Sequence, residues 1–179
     1  MTGQEPLQAG RLHPKWADRN GAGLARVRSG LYKLASSAYF TNGGRMEEVI
    51  EQLRELNEPV PVPLELPDDD RLVEVEEELL INLPFGLREF LLTVSDVVYG
   101  RLEPVTADPQ SHTYLPEVAA NAWDAGVARD LLPICQDGPD YYVVDLEGEV
   151  MLFDGDAHEL TDESWETVWH WVRDVWLES

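Results

Sequence analysis

The chain has 179 residues, 44% of them hydrophobic, with six tryptophans and a formal net charge of −22, which is enough material for one domain with a filled core. From Met46 to Ser179 it carries 33 acidic residues, 6 arginines and no lysine, whereas the 45 residues upstream carry about +5. Such a body repels nucleic acid and anionic membrane and attracts basic protein partners. No apolar run approaches the roughly 20 residues of a bilayer span, and a single cysteine, Cys135, excludes an internal disulfide.

Residues 1–45 form a basic leader rich in Gly, Arg, Ser and Ala. Leu24, Val27, Leu31 and Leu34 can share one face of a short helix, which Gly21, Gly23 and Gly30 weaken. Three readings compete: a disordered arm that binds polyanions, a tail that folds back on the acidic body, or a misassigned start with Met46 as the true one. The third is preferred, because charge sign and lysine usage change at Met46. There is no apolar stretch followed by a small-residue cleavage site, and Cys135, flanked by Pro133 and Ile134, reads as a small core residue in a reducing cytoplasm.

The body opens with a helix. Met46, Val49, Ile50, Leu53 and Leu56 follow the i, i+3, i+4, i+7 pattern, with Glu47, Glu48 and Glu51 in its first turns. Pro59, Pro61 and Pro63 then force an extended strap, less readily a groove-docking proline motif. Asp68, Asp69 and Asp70 offer N-caps to a helix over about 70–81, with Leu72, Val75, Leu79 and Leu80 facing inward. A third helix over about 86–95 buries Leu87, Phe90, Leu91 and Val94. Val97-Val98-Tyr99 reads as the start of a strand, and a fourth helix near 116–127 carries Val118, Ala122 and Trp123 into the core.

Strands follow. Leu131–Cys135 is short and apolar, Gln136–Asp140 has turn chemistry, and Tyr141–Leu146 returns. Glu147-Gly148 turns into Glu149–Phe153, and Asp154-Gly155-Asp156 turns into a short edge strand near 158–160. Thr161 or Asp162 then caps a last helix to about Leu177, with Trp165, Val168, Trp169, Val172, Val175 and Trp176 as its stripe. Helices, then a mostly antiparallel sheet, then a Trp-rich helix make a single α+β domain over residues 46–179.

Two stretches carry a family resemblance. Val75-Glu76-Glu77-Glu78-Leu79-Leu80-Ile81-Asn82-Leu83-Pro84-Phe85-Gly86-Leu87-Arg88-Glu89-Phe90-Leu91 runs from glutamates through an apolar pair and Leu-Pro to an aromatic-aliphatic helix end. Leu132-Pro133-Ile134-Cys135-Gln136-Asp137-Gly138-Pro139-Asp140-Tyr141-Tyr142-Val143-Val144-Asp145 is an apolar-Pro-Ile strand, an Asp-Gly turn and a strand ending in Asp. In order and spacing these resemble the SUKH superfamily, the SMI/KNR-like group named partly for a fungal regulator of cell-wall synthesis. Ser95-Asp96 stands where that family usually has Asn-Gly-Gly. The resemblance covers about residues 70–175. It implies a compact α+β domain without catalytic residues or cofactor that binds protein: bacterial members resemble immunity proteins neutralising toxin domains, often nucleases, and fungal members resemble signalling scaffolds.

Between Asp130 and Val172 there are twelve acidic residues and no Lys or Arg. A solvated face that keeps a monomer soluble is one reading. The other is a phosphate-mimicking face for a basic partner, built from Asp137, Asp140, Asp145, Glu147, Glu149, Asp154 and Asp156, with Tyr141 or Trp171 as the apolar anchor. Trp171 falls off the last helix's stripe, so it is either exposed, as a hot spot, or covered by a second layer. Asp154, Asp156, His158 and Asp162 lack the Gly and Glu of a calcium loop, and the four histidines lack zinc spacing, so no metal site is expected. Ser95-Asp96 with His112 or His158 has no nucleophile elbow to support a triad. The reading is therefore a non-enzymatic, cytoplasmic, immunity-type protein whose partner is a basic toxin domain. The alternative is a regulatory scaffold with a cellular partner, and an enzyme comes last.

Overall fold

The computed structural model describes residues 43–179; the readings for residues 1–42 lie outside the described residues. Four helices come first: α1 (Gly43–Leu56), α2 (Asp69–Leu79), α3 (Phe85–Val94) and, after the two-residue strand β1 (Glu103–Pro104), α4 (Leu115–Asp124). Four more strands follow, β2 (Leu132–Asp137), β3 (Asp140–Val144), β4 (Val150–Asp154) and β5 (Glu159–Trp165). One α turn, α5 (Val168–Trp171), then widens into a π-helical stretch over Val172–Trp176. The sheet is a meander in the order β1-β2-β3-β4-β5, antiparallel throughout.

The helices bury most of the stripes that their periodicity predicts, although on α1 Leu56 is exposed and Met46 and Ile50 are half-buried. Val49 and Leu53 on α1, Leu72, Val75 and Leu79 on α2, and Leu87, Phe90, Leu91 and Val94 on α3 are all buried. Asp68 caps α2, accepting the Arg71 amide at 2.8 Å. Arg71 then spans to α4, donating to the Ala107 carbonyl and to the Tyr114 hydroxyl, which in turn donates to Glu78. Arg54 on α1 pairs with Asp96 at 2.7 Å and also donates to the Thr93 carbonyl at the end of α3.

Four expectations need correction. First, α1 starts at Gly43, so Glu47, Glu48 and Glu51 fall beyond its first turn, which has no acidic residue. Second, α2 stops at Leu79. Leu80 takes a left-handed φ of 57° and is 89% exposed rather than facing inward. Third, Val97–Tyr99 joins no sheet. The Val97 amide bonds back to Val94, and Val98 is tied to the chain after α1 through Asn57 and Glu58. The strand that pairs with β2 is the later Glu103–Pro104.

The fourth concerns the last helix. Thr161–Trp165 belongs to β5, and Thr167 is the N-cap, its hydroxyl accepting the His170 amide at 3.3 Å. Trp165 satisfies both periods: it pairs with Val150 and lays its ring edge-on to Tyr142, with centroids 5.6 Å apart. Alternation puts Tyr142, Val144, Val150 and Trp165 on one sheet face, which Trp171 covers, 5.4 Å from Tyr142 between ring centroids. The opposite face carries Tyr141, Val143 and Phe153, and Phe153 abuts Gly126 just beyond α4.

Candidate protein-binding site

A meander alternates its turns between the two ends of the sheet. The β2–β3 turn at Gly138-Pro139 and the β4–β5 turn over 155–158 lie at one end. The β3–β4 turn over 145–149 lies at the other, about 15 Å away along the five residues of β3. The acidic residues singled out in the sequence therefore divide into two groups. Asp137, Asp140, Asp154 and Asp156 share the first end, joined by Glu103 opposite Gln136 and by Glu159 opposite Asp154. Asp145, Glu147 and Glu149 sit at the second end.

Several of these carboxylates hold the turns in shape. Asp140 Oδ1 accepts the Gly155 amide at 2.9 Å, which staples the two turns of the first end together. Asp154 Oδ1 accepts the amides of Asp156 and Ala157 at 2.9 and 2.8 Å. Asp145 Oδ1 accepts those of Gly148 and Glu149 at 2.8 and 2.9 Å. Short polar side chains favour turns because they can do this. Burial raises the Asp145 carboxyl above its ordinary range. Asp137 pairs with Arg101 at 2.6 Å, so a cation from outside the arginine-free window neutralises part of the first end. Glu147, Glu149, Asp156 and Glu159 are exposed.

The two aromatic anchors are not available to a partner. Trp171 is wholly buried and Tyr141 is 5% exposed. The wheel that placed Trp171 off the apolar stripe assumed 3.6 residues per turn. In the π-helical stretch the Leu177 amide reaches Val172 at i→i+5, so Trp171 and Trp176 fall on one face and stack, with centroids 6.5 Å apart.

The outer edge of the sheet is also acidic. Between the pairs Met151↔Ser164 and Phe153↔Leu160, Leu152 faces the three residues Thr161, Asp162 and Glu163. This bulge and its two exposed carboxylates interrupt the edge and protect it from pairing with another strand.

Beside the first end, a cavity of about 260 Å³ is lined by Glu103, Val105, His112, Thr113, Val118, Gln136 and Gly138. Its rim holds a His112–Glu103 contact of 2.6 Å. Nothing in the sequence reading pointed to it, because its lining comes from β1, the loop before α4, α4 itself and β2.

Residues 46–177 match the SUKH_5 family model, described as SMI1-KNR4 cell-wall. The chain belongs to the SUKH family. A solved structure, described as the crystal structure of a protein from Pseudomonas syringae pv. tomato, is similar to this SUKH domain at a TM-score of 0.71. It is 72% identical, over 74% of this chain and 99% of that chain. No protein of curated function matches.

Within this SUKH domain the imagined triad is not assembled. Ser95 donates to the Leu91 carbonyl, Asp96 pairs with Arg54, His112 meets Glu103 and His158 meets the Ala125 carbonyl. Among the described residues no group of three or more His, Cys, Asp or Glu could hold a metal ion, and no helix is long and apolar enough to cross a membrane.

Proposed function

We propose that this SUKH domain binds protein without catalysis, and that it is an immunity-type protein neutralising a basic, nuclease-like toxin domain. The observation that carries the reading is the gathering of Glu103, Asp137, Asp140, Asp154, Asp156 and Glu159 at one end of the sheet in a body without lysine. Carboxylates spaced over a surface can occupy the positions that Lys and Arg keep for phosphates, and steering then makes association fast and salt-sensitive. The second end, with Glu147 and Glu149, adds to the long-range field but lies too far away for one small cleft to cover both. A non-catalytic role is supported by the match to the SUKH family.

The test is a complex with the basic C-terminal domain of a secreted protein encoded beside this gene. The expected result is a stable complex that inhibits the toxin, weakens steeply with added salt, and is lost on replacing Asp154, Asp156 and Glu159 by amides. Replacing Glu147 and Glu149 instead leaves it largely intact. Capture that is equal at low and high salt sinks the reading.

A further inference from the structure

The cavity beside the acidic end is small and mixed in its lining. Its volume of about 260 Å³ is below the roughly 300–1,000 Å³ of small-molecule sites. Its lining is amphipathic in a definite order. Val105 and Val118 are buried and make an apolar floor. Glu103, His112 and Gln136 are exposed and make a polar rim.

The rim offers acceptors. Gln136 Nε2 donates to the Gly138 carbonyl at 2.9 Å, which leaves Gln136 Oε1 as an acceptor. Glu103 Oε2 meets His112 at 2.6 Å, and its second oxygen carries no hydrogen bond among the described residues. A carboxylate and an amide oxygen above an apolar slot suit a guanidinium on a three-carbon stem: the stem covers Val105 and Val118, and the planar fork donates to two acceptors at once. Arg101, the cation nearest in sequence, is already committed to Asp137.

The geometry points to an arginine of the partner protein inserting into the Glu103–Gln136–Val118 cavity, as the fixed anchor that the acidic end otherwise lacks. This rests on the partner reading above and deepens it. Buried Tyr141 and Trp171 cannot supply the anchor. In this arrangement the diffuse charge steers the partner, and the slot fixes its register.

The test uses the full chain labelled with ¹⁵N and two probes, acetyl-arginine amide and its uncharged isostere acetyl-citrulline amide. The arginine probe is expected to give saturable amide shifts confined to Val105, Thr113, Val118 and Gly138. The neutral probe should bind at least about tenfold more weakly, the ratio expected for losing one charge-assisted contact. Glu103→Gln, on the exposed rim, lowers arginine-probe affinity by a similar factor without touching the core. Thr113→Trp, which fills the slot, abolishes the localised shifts, and its own amide spectrum reports whether it has folded. His112→Ala releases Glu103 and raises affinity. Equal shifts from the two probes, or arginine shifts spread evenly over the turn at 145–149 as well, overturn the assignment. If the slot fails while salt-sensitive capture of the toxin domain persists, the anchor is wrong and the acidic-end reading stands.

Discussion

The Asp140 carboxylate accepts the Gly155 amide at 2.9 Å, and this bond between two turns turns separate acidic loops into one end of the sheet. Gly155 lies so close to the Pro139 carbonyl that an added Cβ would overlap it. Gly155→Ala must push the turns apart and should cost about 1–3 kcal/mol, the usual penalty of overpacking. Asp140→Ala leaves the Gly155 amide without its acceptor and should cost about 1 kcal/mol. Urea unfolding measures both, and the pair should be non-additive because the two residues share one contact.

The Arg54–Asp96 pair gives Asp96 a structural role. Arg54 closes α1 onto the end of α3, and Asp96 is its counter-charge. Asp96 Oδ1 is buried and already lacks a hydrogen-bond partner. Arg54→Ala would strip the carboxylate of its compensation and should cost about 2 kcal/mol, the range for a hydrogen bond to a charged group. Arg54→Ala combined with Asp96→Asn should recover part of that loss, since the uncompensated charge is gone. A double-mutant cycle in urea tests this, and equal stability of the single and double variants would refute it.

Most of the fold was legible because its signals are local. The stripes of α2 and α3 recur at helical spacing, and the predicted Asp-Gly and Glu-Gly turns have Gly138 at φ 62° and Gly148 at φ 97°, where other residues are strained. The errors arose where the outcome depends on partners distant in the chain. Trp165 fits either a helix stripe or a strand face, and the strand wins because Val150 and Tyr142 are there to receive it. Leu80 fits the α2 stripe, but Glu76 accepts the Leu83 amide at 2.8 Å as the chain turns toward α3, and Leu80 is left outside. The acidic residues are visible in the sequence as a population. Their division between two ends follows from strand direction, which composition does not carry.

Trp171 should therefore behave as a core residue. Trp171→Ala is expected to cost about 3–5 kcal/mol, typical of removing a buried aromatic. Trp171→Phe should be much milder, since it keeps ring contacts with Tyr142 and Trp176 and removes an indole N–H that has no acceptor. Calorimetric unfolding separates the two. Capture of a basic partner by folded Trp171→Phe should equal that of the wild type, whereas a surface hot spot would lose it.

Cys135 offers an independent probe of the sheet. It is wholly buried on β2, and burial, with the Asp137 charge adding to it, pushes its thiol up to about 12. The thiolate is the reactive form. At pH 8 iodoacetamide should therefore label the native protein far more slowly than the urea-unfolded chain. Labelling of Gly155→Ala should be faster than wild type in proportion to its lost stability, provided that opening equilibrates before reaction.

The turn at Asp145 gives a pH test with a definite sign. Burial is the largest influence on this carboxyl and raises its pKa above 3.8; Glu147 and Glu149 push the same way, and the turn amides of Glu149 and Gly148 only partly oppose them. A carboxyl raised in the folded state binds its proton more tightly there than in the unfolded chain. Its charge thus costs stability, fully so above the folded pKa, and the cost disappears as pH falls below 3.8. Asp145→Asn keeps the Oδ1 acceptor for the Gly148 and Glu149 amides and never charges. It should be more stable than wild type at neutral pH, and the advantage should shrink to nothing in acid. Asp145→Ala loses both bonds and should be less stable by about 1–2 kcal/mol. Urea midpoints of the three proteins from pH 3 to pH 7 decide the matter: an Asn variant less stable than wild type at pH 7 would show that the turn gains more from the carboxylate's charge than it loses by burying it.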